Sequence, residues 1–187
     1  AVSHATFGPG VPVAYVATGG SFPDALAGGV AAGRQKGPVL LVSRTSVPVA
    51  TVNELKSLKP ARIVVLGGSS AVSDAVVAAL DAYTAGSVTR IAGADRYGTA
   101  VEISKATTGT GAPRTVYVAT GASFPDGLAG TPVAARAGGP LLIVPAGGVT
   151  PAIAAELRRL DPSRVVILGG PSVVSNGVAA QIAALWD

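Results

Sequence analysis

Three sets of residues carry polar chemistry at regular spacing. Ser21-Phe22-Pro23-Asp24 and Ser123-Phe124-Pro125-Asp126 each place a carboxylate three positions after a hydroxyl. That is capping-box spacing, in which the serine accepts from an orphan backbone N–H and the acid faces the positive end of a helix. Asp24 and Asp126 are suited to orienting a sugar hydroxyl too, but capping or contact between repeats accounts for them without it. Gly67-Gly68-Ser69-Ser70 and Gly169-Gly170-Pro171-Ser172 follow apolar runs and precede helical ones. Such a turn calls for positive φ at glycine, and its N–H groups are also able to hold a phosphate. Neither the Gly-x-x-x-x-Gly-Lys-Ser/Thr motif nor the full dinucleotide fingerprint stands at these junctions, so nucleotide is the weaker reading. Arg90, Asp95, Arg96, Tyr97 and Thr99 form the densest polar cluster. Arg96 suits bidentate contact with phosphate or carboxylate, or docking between repeats. Arg34 and Arg136 recur near the end of a helix, where a cation suits the dipole. Arg62 and Arg164 recur where a strand begins.

The remaining composition narrows the chemistry. There is no cysteine, and His4 is the single histidine among 187 residues. Thiol nucleophiles, disulfides, Cys- or His-rich metal sites and a histidine-dependent triad within the chain are excluded. No cofactor and no metal is expected. Apolar residues make up 49% of the chain but aromatics only 4%, so the core is built from Val, Leu, Ile and Ala. The net charge of +4 is spread thinly and favours anionic partners mildly. No Lys/Arg block with interleaved aromatics suggests a nucleic-acid groove, and no apolar stretch has the length of a membrane span. The opening Ala1-Val2-Ser3-His4-Ala5 reads as the inside of a helix, which suggests a processed or excised piece of a longer chain.

These residues are positioned by a duplicated scaffold. Tyr15-Val-Ala-Thr-Gly-Gly-Ser-Phe-Pro-Asp24 returns as Tyr117-Val-Ala-Thr-Gly-Ala-Ser-Phe-Pro-Asp126. Gly37-Pro38, Glu54-Leu55 and Gly67-Gly68 return as Gly139-Pro140, Glu156-Leu157 and Gly169-Gly170, always 102 positions on (126 − 24, 169 − 67). About half of the aligned positions are identical, which marks a duplication. Val13–Ala17, Val39–Val42 and Ile63–Leu66 are short apolar runs without alternation, the pattern of parallel strands buried on both faces. Asp24–Arg34, Val49–Leu58 and Ala71–Tyr83 read as helices, followed by a strand at Val88–Ile91 and a helix at Asp95–Thr107. Alternating strands and helices predict parallel sheets covered by helices, joined by right-handed crossovers. Val2-Ser3-His4-Ala5-Thr6 aligns with Ile103-Ser104-Lys105-Ala106-Thr107. The first copy is therefore expected over residues 1–87, cut within its opening helix, and the second over 88–187.

Four ordered motifs carry a family resemblance. They are Arg-x-x-Gly-x-Asp-Arg-Tyr-x-Thr-Ala at Arg90–Ala100 and Gly-x-x-Phe-Pro-Asp-x-Leu at Gly19–Leu26 and Gly121–Leu128. Gly-Pro at 37–38 and 139–140, and Leu-Gly-Gly-x-x-x-Val-Ser at Leu66–Ser73 and Leu168–Ser175, complete the set. Together they closely resemble the cell wall binding repeat type 2 family of bacterial surface proteins. The resemblance implies a secreted, wall-located, non-catalytic module that anchors non-covalently to an anionic cell-wall polysaccharide or teichoic-acid-like polymer. It also implies a Toprim-like fold, often with three repeats around a pseudo-threefold axis, of which two are visible here. The expected class is thus α/β, tandem repeats with parallel sheets flanked by helices, Toprim-like or flavodoxin-like.

On that reading, Arg34, Arg62, Arg90, Arg96, Arg136 and Arg164, with Gly68 and Gly170, are the candidates for polymer contact. Ser21, Asp24, Gly67, Asp95, Tyr97 and Thr99, with Ser123, Asp126 and Gly169, are candidates for structural roles. Repeat–repeat or homo-oligomer contacts are a further expectation. The rivals are a surface self-assembly unit and a portion of a wall hydrolase whose catalytic domain lies elsewhere.

Overall fold

Residues 1–109 and 113–187 are described by a computed structural model. A short opening helix, α1 (Val2–Thr6), precedes β1 (Ala14–Thr18), α2 (Pro23–Arg34), β2 (Val39–Val42), α3 (Val49–Leu58) and β3 (Ile63–Leu66). Then come α4 (Asp74–Leu80) with a 3-10 turn at Asp81–Tyr83, β4 (Val88–Ile91) and α5 (Arg96–Thr107). The second copy continues with β5 (Thr115–Thr120), α6 (Pro125–Ala137), β6 (Leu141–Val144), α7 (Pro151–Leu160), β7 (Arg164–Ile167) and α8 (Asn176–Ala183).

Both sheets are wholly parallel, in the orders β2-β1-β3-β4 and β6-β5-β7. Their registers repeat: Tyr15 lies opposite Val39 and Val64, and Tyr117 opposite Leu141 and Val166. β1 and β3 are buried along their whole length, which is why neither alternates in sequence. The edge strand β4, by contrast, is only partly buried. It begins at the expected start of the second copy, yet it hydrogen-bonds into the first sheet.

The expected helix over Ala71–Tyr83 is shorter than its apolar spacing suggested. Ser73 takes an extended conformation and its hydroxyl caps α4 by accepting from the Val76 N–H, so residues 71–73 remain a turn.

Among the described residues, one apolar cluster joins the copies. Tyr15, Leu26, Val30 and Leu66 of the first copy share it with Ala119, Ala134 and Ile143 of the second. α2 lies along α6 at close range: a methyl on Gly29 would stand 3.0 Å from Thr131 Cγ2, and one on Gly33 would stand 2.9 Å from Ala135 Cβ. A glycine inside a helix costs about 1 kcal/mol relative to alanine. Here that cost permits the helices to approach. Phe22 and Phe124 close one end of the contact, with ring centroids 5.7 Å apart.

The duplicated helices are not equivalent in burial. Leu26 is 4% exposed, whereas its counterpart Leu128 is 57% exposed. Each sheet packs its other face into a separate cluster, led by Leu55, Leu58 and Ile63 in the first copy and by Ile153, Leu157 and Leu160 in the second.

Candidate functional site

The first sheet reverses its winding between β1 and β3: β1 crosses through α2 to β2 on one side, and β3 through α4 to β4 on the other. In open parallel sheets the crevice at such a switch point, beyond the carboxyl ends of the strands, is the usual place for a ligand. A cleft of about 180 Å³ lies there. Ser21, Asp24, Gly68, Asp95, Arg96 and Thr99, all singled out from the sequence, line it.

Each wall has a local cause. After β1, the Thr18 hydroxyl accepts from the Gly20 N–H, and Thr120 repeats the contact with Ala122. These threonines organise the turn; the two serines do not. The capping-box expectation for Ser21 and Ser123 is corrected here: the residues at the cap position are Phe22 and Phe124, without a side-chain cap bond. Phe22 is already helical and Pro23 occupies the first turn, where its missing N–H leaves one orphan donor fewer to satisfy. Asp24 is released from capping its own helix. Its Oδ2 sits over the Cα of Gly67, where any side chain would collide with it. Gly67 has φ +94°, and its counterpart Gly169 has φ +104° and stands against Asp126 in the same way. Burial pushes the Asp24 carboxyl above its usual range, opposed by the positive charge of Arg96.

The far wall belongs to the segment that opens the second copy. Asp95 caps α5, its Oδ1 accepting from the Gly98 N–H at 2.7 Å. The Thr99 hydroxyl donates to the Asp95 carbonyl at 3.0 Å and accepts from the Gly93 N–H at 3.1 Å. Arg96 reaches across to the second copy and donates from Nη1 to the Gly121 carbonyl at 2.9 Å. Tyr97 packs against Gly121 and joins the apolar clusters of both copies. Arg90 is consumed by structure. Its guanidinium donates to the carbonyls of Gly67 (2.6 Å) and Val72 (2.8 Å) and pairs with Asp74 at 2.9 Å. It braces the Gly-Gly turn from behind, with three of its five N–H donors committed there.

The other four candidate arginines lie at the opposite end of the strands. Arg34, at the end of α2, donates to the Thr108 hydroxyl, and Arg62, at the start of β3, donates to Gln35 Oε1. Arg136 and Arg164 occupy the matching places in the second copy and are exposed. Gly170 lies on the exposed turn after β7. The six arginines therefore do not form one groove.

Sequence reasoning used Glu54 and Glu156 only as markers of the repeat and missed their role. Glu156 is buried, accepts from the Ser104 hydroxyl, and is held by Arg159 through two bonds of 2.7 Å. Glu54 accepts from Ser3 at 2.7 Å, with His4 Nδ1 3.6 Å away. The signal was present in the alignment of Ser3 with Ser104, beside two glutamates 102 positions apart. Among the described residues, no group of three His, Cys, Asp or Glu side chains is placed to hold a metal ion. None of the described helices is long and apolar enough to cross a membrane.

Comparison with known proteins decides the family. Residues 1–77 and 90–179 match Cell wall binding domain 2 (CWB2). The chain belongs to the CWB2 family. The CWB2 match covers both copies, with a gap across the end of α4, the 3-10 turn and the start of β4. The chain is similar to N-acetylmuramoyl-L-alanine amidase LytC of Bacillus subtilis (strain 168), 28% identical over 165 residues, which are 88% of this chain and 32% of the relative. It is also similar to the Amidase enhancer of the same organism, 32% identical over 162 residues, 86% of this chain and 21% of the relative. It thus spans about a third or less of the length of these proteins. Two solved structures share the fold. Cwp6 from Clostridium difficile has a TM-score of 0.83 at 23% identity, over 94% of this chain and 28% of that one. Cwp8 from Clostridium difficile has a TM-score of 0.82 at 23% identity, over 98% of this chain and 31% of that one.

Proposed function

We propose that this chain is an attachment module that holds a secreted protein on the bacterial cell wall by gripping an anionic wall polymer, without catalysis of its own. The observation that carries the reading is the CWB2 match across both copies. The names of the curated relatives support it. An amidase and an amidase enhancer share this segment as a minor part of their length, which fits a common means of attachment better than a common reaction. The absence of cysteine and the single, solvent-facing His4 argue in the same direction.

Attraction to the polymer would come from cations at the strand-entrance end, where Arg34, Arg62, Arg136 and Arg164 recur in pairs, while Arg96 and the turns at Gly68 and Gly170 would supply hydrogen bonds to it. Each grip is weak, and two copies on one chain raise the effective concentration of the second grip. The test is co-sedimentation with purified walls before and after their anionic polymers are extracted. Retention by intact walls and loss after extraction support the reading. Retention should also fall with salt, as the screening length shrinks from about 30 Å at 0.01 M to about 3 Å at 1 M. Unchanged binding to extracted walls would replace the polymer with peptidoglycan or protein, and turnover of wall material by the chain would make it an enzyme.

A self-assembly role is the second reading. Phe124, just before α6, and Leu128 on it are each at least half exposed and line an apolar groove with Phe22 and Leu41. Solution mass measured beside polymer binding separates the two.

A further inference from the structure

The cleft at the β1/β3 switch point has a composition that does not match a polyanion. Two carboxylates, Asp24 and Asp95, face it beside one guanidinium, Arg96, and that guanidinium already spends one nitrogen on the Gly121 carbonyl. A bare phosphate entering would meet more negative charge than positive. What this set does offer is hydrogen bonding to hydroxyl groups. Asp24 is half-buried, and among the described residues no group donates to its carboxylate, whose oxygens keep solvent contact at the cleft. It stands over Gly67 as a bare acceptor. The Ser70 hydroxyl and the outer nitrogens of Arg96 supply donors across the gap. At about 180 Å³ the space equals about six water molecules, the scale of one sugar ring.

Resting on the attachment reading, we propose that this cleft reads a neutral, hydroxylated sugar unit of the wall polymer, with neighbouring hydroxyls donating to Asp24 while Arg96 and Ser70 donate to its oxygens. Asp24, Gly68 and Ser70 come from the first copy and Gly93, Asp95 and Arg96 from the segment that opens the second. The subsite is therefore a property of the junction: one complete cleft forms per pair of consecutive copies, and neither copy holds it alone. Charge and identity are divided between the ends of the sheet. Exposed arginines at the strand entrances draw in the polyanion, and the cleft at the strand exits selects the sugar.

The division makes the test specific. The 187-residue chain, Asp24→Asn and Arg96→Gln are compared for retention on one wall preparation at 0.02 M and 0.5 M salt. Each is also titrated by NMR with polysaccharide released from those walls by mild acid. The expected result is that both variants lose at least tenfold in affinity at 0.5 M salt, where the distributed cations are screened, and less at 0.02 M. The polysaccharide should shift the amides of Gly68, Gly93 and Gly98 in the parent and leave them in place in Asp24→Asn, whose remaining spectrum shows an intact fold. If walls retain all three proteins equally at both salt levels, or if the cleft amides do not respond, the cleft proposal falls while attachment stands. If no wall preparation retains the parent, the attachment reading itself falls. Loss of the shifts after N-acetylation of the polysaccharide would overturn the neutral ligand in favour of an ammonium group.

Discussion

Replacing Arg90 tests whether the guanidinium braces the fold or grips the polymer. In the structure it donates to two backbone carbonyls, Gly67 at 2.6 Å and Val72 at 2.8 Å, and its side chain is 21% exposed. A hydrogen bond from a charged donor is worth about 1.5–3 kcal/mol. Taking the lower end for each, because water reaches part of this site, Arg90→Ala should cost about 3 kcal/mol. The pair with Asp74 adds little, since that carboxylate is 86% exposed and surface pairs contribute about 0–1 kcal/mol. Because the two copies share a core, a single cooperative transition is expected. With a urea dependence of about 3 kcal/mol per molar, the midpoint should fall by about 1 M. The assay is equilibrium urea unfolding followed by circular dichroism, with wall retention measured on the same preparations well below the transition. Arg90→Lys should recover part of the loss, because an ammonium cannot span both carbonyls as the planar fork does. If Arg90→Ala unfolds at the parental midpoint and yet no longer binds walls, the brace is refuted and Arg90 returns to the polymer site.

Three other outcomes are expected. Gly37→Ala and Gly139→Ala would each drive a methyl into a strand carbonyl, that of Val13 or of Thr115. Each should cost about 3 kcal/mol in urea unfolding, while Gly8→Ala, with open space around it, should stay within about 0.5 kcal/mol. Arg159→Ala would strand the buried Glu156 carboxylate on Ser104 alone and should cost about 3 kcal/mol, against a change of less than about 1 kcal/mol for the exposed His4→Ala beside Glu54. Asp24 has a folded-state pKa raised above its value of 3.8 by burial, so it favours folding below that pH and the benefit is lost as pH rises through the folded pKa. Asp24→Asn should therefore raise the thermal midpoint at pH 7 and leave it close to the parent's near pH 3; equal differences at both pH values would contradict this.

Much of the scaffold was readable from the chain alone, because it follows from local geometry and from duplication. Unalternating runs such as Ile63–Leu66 can satisfy their apolar faces only in a covered parallel sheet, and the structure has them there. The bounds of α3 and β2 follow from composition. The capping role assigned to Ser21 and Ser123 failed because a spacing does not specify φ and ψ. Phe22 and Phe124 enter their helices already helical, and the hydroxyls are left outside.

Tertiary packing decided what local pattern leaves open. Leu26 and Leu128 stand in the same motif, yet one is buried against Gly127 of the neighbouring copy and the other faces solvent, since α2 has α5 and α6 packed against it. Likewise, six arginines alike in sequence were divided between a brace, a cleft and the opposite end of the strands. The chain by itself determined a twice-written parallel α/β repeat, because hydrophobic period and turn chemistry act over a few residues. Only the folded structure decided that Asp24 and Arg96, 72 positions apart (96 − 24), would face one crevice. That meeting depends on the crossover order of the strands and the docking of one copy on the next, which no local spacing records.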